Sequence, residues 1–97
     1  MFWAKLHKTR YEIVVAVCDK DILEKQLKIK KAKIKISKYF YGDTLIDENV
    51  AVRLMERASI GNLIGKDIVN LAGEKGFITK ENVILIDGIP HAQFVKK

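Results

Sequence analysis

Between Lys25 and Lys38 the chain carries seven lysines, and no acid occurs from there to Gly42. The chemistry open to such a run is neutralisation of phosphate. An ammonium is a compact, hydrated point charge that holds a phosphate oxygen without reading a base. In KIKKAKIKISK, residues 28–38, the lysines from Lys31 to Lys35 fall on every second position. Lys31, Lys33 and Lys35 take one side, and Ala32, Ile34 and Ile36 the other. Alternate side chains of a strand stand about 6.7 Å apart, so such a row is a positive ridge. The same lysines have a second use, because edge strands carry Lys to prevent pairing with other chains. One or two would serve that purpose, whereas seven without an acid point to an anionic partner. Lys28, Lys30, Lys31, Lys33, Lys35 and Lys38 are therefore the candidate nucleic-acid-binding residues. Tyr39 and Tyr41 of YFYG follow directly and could stack on unpaired bases. The competing expectation is that these aromatics anchor their loop in the core.

His91 is the second chemically suggestive side chain. A general base needs an orienting partner within hydrogen-bond reach, and the nearest acid in sequence, Asp87, is expected to be consumed by a turn. Asn62, His91 and Gln93 together make an alternative small-molecule or catalytic site, and a structural hydrogen bond is the plainer role for His91. His7, Cys18 and His91 do not have metal-ligand spacing, so neither a metal nor another cofactor is expected. Cys18, the single cysteine, ends the apolar run EIVVAVC and reads as a small buried hydrophobe. GNLIGK, residues 61–66, fails as a phosphate loop. Three residues instead of four separate its glycines, and Asp67 follows the lysine where Ser or Thr would hold Mg²⁺. Close approach of the two helices, or of a helix and a strand, at Gly61, Gly65 and Gly73 is the reading preferred for these glycines.

These side chains need elements to carry them. FWAKLHK alternates, with Phe2, Ala4 and Leu6 on one face and Trp3, Lys5 and His7 on the other. YEIVVAVC is apolar on both faces and reads as a central strand, joined to the first through Thr9-Arg10. Asp19 or Asp21 would cap a short helical turn through DILEKQL. In the lysine run the phase of alternation reverses near Lys30-Lys31, which demands a bulge or turn there. Residues 47–59 read as a helix capped by Asp47, with Ala51, Leu54, Met55 and Ala58 as its apolar stripe. A second helix is expected from about Asn62 to Lys75, with the stripe Ile64, Ile68, Leu71 and Ala72, and Gly76 ending it. In VILIDGIPHAQFV, Asp87-Gly88 is a type I′ turn pair between two apolar runs. Pro90 places its strand at an edge or makes it start late. The expected fold is α+β: one small domain, residues 1–97, with an antiparallel or mixed sheet of about five strands and two main helices on one face.

Composition bounds the function. The net charge is +6, and residues 1–40 hold eleven basic and four acidic side chains against seven and eight in the remainder. The basic character is thus local. Fifteen of the eighteen basic residues are Lys, which suits diffuse phosphate attraction; a Lys- and Ile-rich style of high growth temperature would produce the same bias. At 48% hydrophobic residues the chain is not of disordered composition. It has no apolar run of membrane-spanning length and no signal-peptide pattern, so a cytoplasmic location and no membrane partner are expected.

EIVVAVCD, YFYGD, ASIGNLIG and IDGIPHAQ, in this order and spacing, resemble an uncharacterised archaeal family, number 424 of the domains of unknown function. The resemblance runs from about Lys5 to Val95, and the NLIG and IPHAQ segments are its most specific parts. It implies a small α+β fold and an archaeal cytoplasmic protein. It brings no activity and no catalytic residue. The function expected is that of a small, non-enzymatic RNA-binding or ribonucleoprotein- and translation-associated protein. A ligand site at His91 and a protein-interaction adaptor are the alternatives.

Overall fold

The computed structural model describes residues 1–96. Six strands form one mixed sheet in the order β5-β1-β2-β6-β8-β7. They are β1 (Phe2–Lys8), β2 (Ile13–Asp19), β5 (Thr44–Ile46), β6 (Ile60–Ile64), β7 (Val83–Ile86) and β8 (Ile89–Val95). A separate two-stranded hairpin is made by β3 (Gln26–Ile29) and β4 (Ala32–Lys35). The helices are α1 (Lys38–Tyr41), α2 (Glu48–Arg57) and α3 (Lys66–Glu74). The fold is α+β as expected, with more strands than the sequence pattern suggests.

The alternation of β1 sorts its residues as the sequence implies. Phe2 and Ala4 are buried with Val15, Val17, Leu63, Ala92 and Phe94 beneath α2 and α3. β2 is buried from Val15 to Asp19, as a central strand should be. The link between β1 and β2 is wider than Thr9-Arg10: it is a four-residue loop closed by a bond from Thr9 N to Glu12 O at 2.9 Å. On α2, the Asp47 carboxylate caps the helix by accepting from Val50 N at 2.9 Å. Ala51, Met55 and Ala58 form its buried stripe, and Leu54 packs at the margin.

The largest departure concerns residues 60–65. Residues 62–64 are not the start of the second helix but belong to strand β6, parallel to β2 in the middle of the sheet. Helix α3 begins only at Lys66. The glycines accordingly have other tasks than helix–helix contact. Gly61 lies directly under the Phe94 ring, and Gly65 sits at φ 122° against the Asp19 carboxylate. No neighbour lies within 4 Å of where a Cβ on Gly73 would stand. Gly76, at φ 82°, ends α3 through bonds from Gly76 N to Gly73 O and from Phe77 N to Ala72 O, the paired Schellman closure. The short helical turn expected in DILEKQL is a single 3₁₀ turn, Lys20–Ile22, and no side chain caps it.

The tail hairpin forms as written, with Asp87 at φ 51° and Gly88 at φ 80°. Pro90 is not on an edge strand, because β8 lies between β6 and β7. Nor does β8 start late: it begins at Ile89 and pairs Pro90 with Leu85 of β7, and only its pairing with β6 waits until His91, opposite Ile64. The Pro90 carbonyl accepts from Gly65 N at 2.9 Å, so its missing N–H falls where β6 has already turned into α3.

The sheet face away from α2 and α3 is covered in part by the β3–β4 hairpin and α1. Leu27, Ile36 and Tyr41 are buried there on Ala16, Cys18 and Ile64. Burial pushes the Cys18 thiol up to about 12, the Asp19 charge adding to the effect, so the thiol stays protonated and inert at neutral pH.

Candidate nucleic-acid interface

The lysine run folds as a hairpin whose two faces differ. Leu27 and Ile36 are 1% and 2% exposed and pin the base of the hairpin to the sheet. The register pairs Gln26 with Lys35, Leu27 with Ile34, Lys28 with Lys33, and Ile29 with Ala32. Lys28, Lys33 and Lys35 therefore share the outward face, and Lys30-Lys31 form the turn. The expected break in phase is this turn. Lys30 adopts φ 55°, a left-handed conformation that glycine or asparagine takes at lower cost.

Lys28 stands directly opposite Lys33. With a two-residue turn, the pair next to it, Ile29 and Ala32, exchanges hydrogen bonds, and the following pair does not. The Lys28–Lys33 pair is therefore of the closer kind, with Cα atoms about 4.5 Å apart. Like charges so placed destabilise a sheet. The local acids do little to relieve this. Among the described residues the ion pair that forms is Lys35 Nζ to Glu24 Oε2 at 3.2 Å, between half-exposed side chains. Asp87 accepts from the backbone N–H of Lys28 at 3.0 Å, which ties the hairpin to the β7–β8 turn.

The aromatics divide. Ser37 caps α1 by accepting from Tyr39 N at 3.0 Å, and Tyr39 projects from that turn with 87% of its surface exposed. Phe40 is half-buried and stacks on the His7 ring. Tyr41 is buried, and its hydroxyl donates to Asn62 Oδ1 at 2.7 Å. Tyr39 is thus the member of YFYG placed to stack on a base. Lys38, beside it, is exposed.

Asn62 and His91 are brought together as the alternative site requires. His91 Nε2 lies 3.0 Å from Asn62 Oδ1. That oxygen can only accept, so Nε2 carries the proton and donates. Burial lowers the His91 pKa below its ordinary value, so the ring is neutral with Nδ1 left as an acceptor. Burial raises the Tyr41 pKa and keeps its hydroxyl a donor. The network Tyr41–Asn62–His91 contains no carboxylate. Gln93 is opposite Asn62 across β6 and β8 and is exposed.

Sequence reasoning named Asp19 as a cap, but for the turn that follows it, which no side chain caps. Its carboxylate accepts from Asp67 N and Ile68 N, both at 2.9 Å, and so caps α3 from the end of β2. Burial raises its pKa, and the two N–H bonds oppose that shift. A cleft of about 450 Å³, lined among others by Asp21, Lys25, Lys66 and Pro90, opens beside it at the carboxyl ends of the parallel strands β2 and β6. Ligands favour such places, but here the anion position at the helix N-terminus is filled by Asp19 itself. Among the described residues no three His, Cys, Asp or Glu side chains converge on a metal position. Among the described residues no helix is long and apolar enough to cross a membrane.

A mixed six-stranded sheet with two helices on one face and a lysine-rich hairpin on the other defines a small α+β protein. The chain belongs to the family described as protein of unknown function (DUF424), which matches residues 7–96. A crystal structure of an uncharacterized conserved protein from Methanopyrus kandleri has the same fold. Its TM-score is 0.84 at 22% identity, over 99% of this chain and 93% of that one. No curated protein matches the sequence.

Proposed function

We propose that this protein is a non-enzymatic binder of RNA or another nucleic acid, associated with ribonucleoprotein or translation in the cytoplasm, and that the β3–β4 hairpin is its binding arm. The observation that supports this best is the Lys28–Lys33 pair. Two lysines directly opposite each other in the closer cross-strand arrangement disfavour the free protein. An oxygen anion between them reverses the sign of that interaction. Lys30 at a left-handed turn position is a second local cost that a bound phosphate offsets. Lys28, Lys30, Lys31 and Lys33 hold phosphates in this reading, Lys35 and Lys38 extend the row, and Tyr39 stacks. Recognition through backbone charge makes affinity strongly salt-dependent.

The test is titration of labelled single-stranded RNA over a series of salt concentrations. Four phosphate contacts give a slope of log K on log salt of about −3, at about −0.7 each. Replacing Lys28, Lys31 and Lys33 together by Gln leaves Leu27 and Ile36 untouched, so the fold is retained. Affinity should fall and the slope flatten by about 2. A folded triple variant with wild-type affinity and slope would show the lysines to be a solvated surface.

A further inference from the structure

On the reading that the hairpin holds phosphates, we infer that the open part of the sheet face beside it is a platform for unpaired bases of the same nucleic acid, and that His91 and Asn62 read the edge of one base there. The register defines this open part, because residues directly opposite on neighbouring strands share a face. Asn62 on β6 stands opposite Gln93 on β8, and His91 stands between Ile64 on β6 and Ile84 on β7. The Tyr41 hydroxyl reaches Asn62 from α1, so this is the face that carries the hairpin and α1. Ile64 is buried beneath that cover. Beyond it the cover gives out: Asn62 and His91 are only partly buried, and Gln93 and Ile84 are exposed.

Two polar atoms on this face have no partner within the protein. Asn62 Oδ1 accepts from the Tyr41 hydroxyl at 2.7 Å and from His91 Nε2 at 3.0 Å. That leaves Asn62 Nδ2, a donor, and His91 Nδ1, an acceptor. Among the described residues no buried side-chain nitrogen or oxygen lacks a hydrogen bond, so both atoms reach solvent. The arrangement is fixed. The buried Tyr41 hydroxyl needs an acceptor, which holds the amide oxygen towards it, and the same oxygen holds the proton of the imidazole on Nε2. An acceptor and a donor therefore face outwards from neighbouring strands about 4.8 Å apart. A base edge with a donor beside an acceptor complements them, and Gln93 adds one of each.

The platform adjoins the charges. The Lys28 N–H bonds to Asp87 in the turn between β7 and β8, and β3 packs against β7, so the lysine arm borders the open face. Tyr39 projects from α1 on another side. Lysines at one border, an aromatic at another and edge-reading atoms between them suit a single strand, whose bases are splayed and offer their edges. Ile84 supplies apolar surface for the face of a base. An acidic peptide would suit the lysines equally, but its carboxylates only accept, and Nδ1 has no proton to give them.

The first test follows the His91 Nδ1 resonance of the nitrogen-15-labelled full chain. The probes are the four nucleoside monophosphates and ribose phosphate, added to the wild type and to the folded variant with Lys28, Lys31 and Lys33 replaced by Gln. At least one nucleotide should move the resonance upfield, as an accepted hydrogen bond does, in both proteins; ribose phosphate should not. No movement with any nucleotide would overturn the platform and leave the arm standing, since the salt slope tests the arm by itself. Movement in both proteins beside a flat wild-type salt slope would keep the base site and discard the arm. The second test compares single-stranded homo-oligomers of the four bases with an abasic chain of equal length. Wild-type affinities should spread about five- to 150-fold, the worth of one well-paired base edge, with the abasic chain no tighter than the weakest. His91→Phe keeps a ring but no acceptor, and should draw the four affinities together at an unchanged salt slope. Equal wild-type affinities matched by the abasic chain, or full discrimination by a folded His91→Phe protein, would overturn the assignment.

Discussion

Lys30 and His91 show most directly how single residues carry the physical cost of a site. Lys30 occupies φ 55°, where a residue with a Cβ loses roughly 1 kcal/mol or more. Lys30→Gly should therefore leave stability unchanged or raise it by up to about 1 kcal/mol, while weakening RNA binding by one phosphate contact. Chemical denaturation beside an RNA titration checks both signs. A less stable Lys30→Gly protein would mean that the lysine serves the turn and not a ligand. For His91 the sign runs with acid. Burial depresses its folded pKa, so its contribution to stability is fully present above the unfolded value of about 6.5. That contribution is lost as pH falls through the lower folded value. His91→Gln should remove this part of the pH dependence, read as the difference between the two melting curves from neutral pH downwards. A constant difference across that range would show that the imidazole does not change its proton uptake on folding. The partners of His91 could not be read from sequence: Asn62 lies 29 positions away and Tyr41 lies 21 from Asn62. Nothing local marks either contact.

Elements were legible wherever their signals are local. Asp47 capping α2, the Asp87-Gly88 turn and the phase break at Lys30-Lys31 all lie within a few residues of the structure they specify. The failure at β6 has a physical cause. Ile64, Ile68, Leu71 and Ala72 share a helical spacing, and the start of α3 has no capping side chain of its own. Gly65 fills the cap position, and the cap is supplied by Asp19 from β2, beyond any sequence window. Asp19→Ala should cost about 0.5–2 kcal/mol, as loss of a helix N-cap usually does, with more remaining in Asp19→Asn, which retains one acceptor oxygen. The glycines separate the same way. Gly73→Ala should stabilise α3 by about 0.5–1 kcal/mol, since no neighbour lies within 4 Å of the new Cβ. Gly61→Val should be strongly destabilising, because Phe94 occupies the space. Thermal melts ranking these variants otherwise would contradict the placement of β6 against β8.

Across the whole molecule the charge is unevenly distributed, and this is the feature the sequence displays most openly. The excess of lysine lies in residues 1–40, and the rest of the chain is close to balanced. What sequence does not display is that α2 and α3 cover one sheet face and the basic hairpin lies on the other. A nucleic acid attracted only by net charge would respond equally to any two lysines removed. One held by the arm would not. Lys28→Glu with Lys33→Glu, and Lys75→Glu with Lys80→Glu, change the net charge by the same amount. The second pair follows α3, and both of its lysines are exposed. The hairpin pair should lower RNA affinity by at least the two contacts it removes and flatten the salt slope by about 1.4, at about 0.7 per contact. The Lys75 and Lys80 pair should shift affinity only through the weak, screened field beyond a Debye length of about 8 Å at physiological salt, leaving the slope near wild type. Equal losses from the two double variants, measured in one titration series, would reduce the interaction to nonspecific attraction by a basic protein and remove the hairpin from the account.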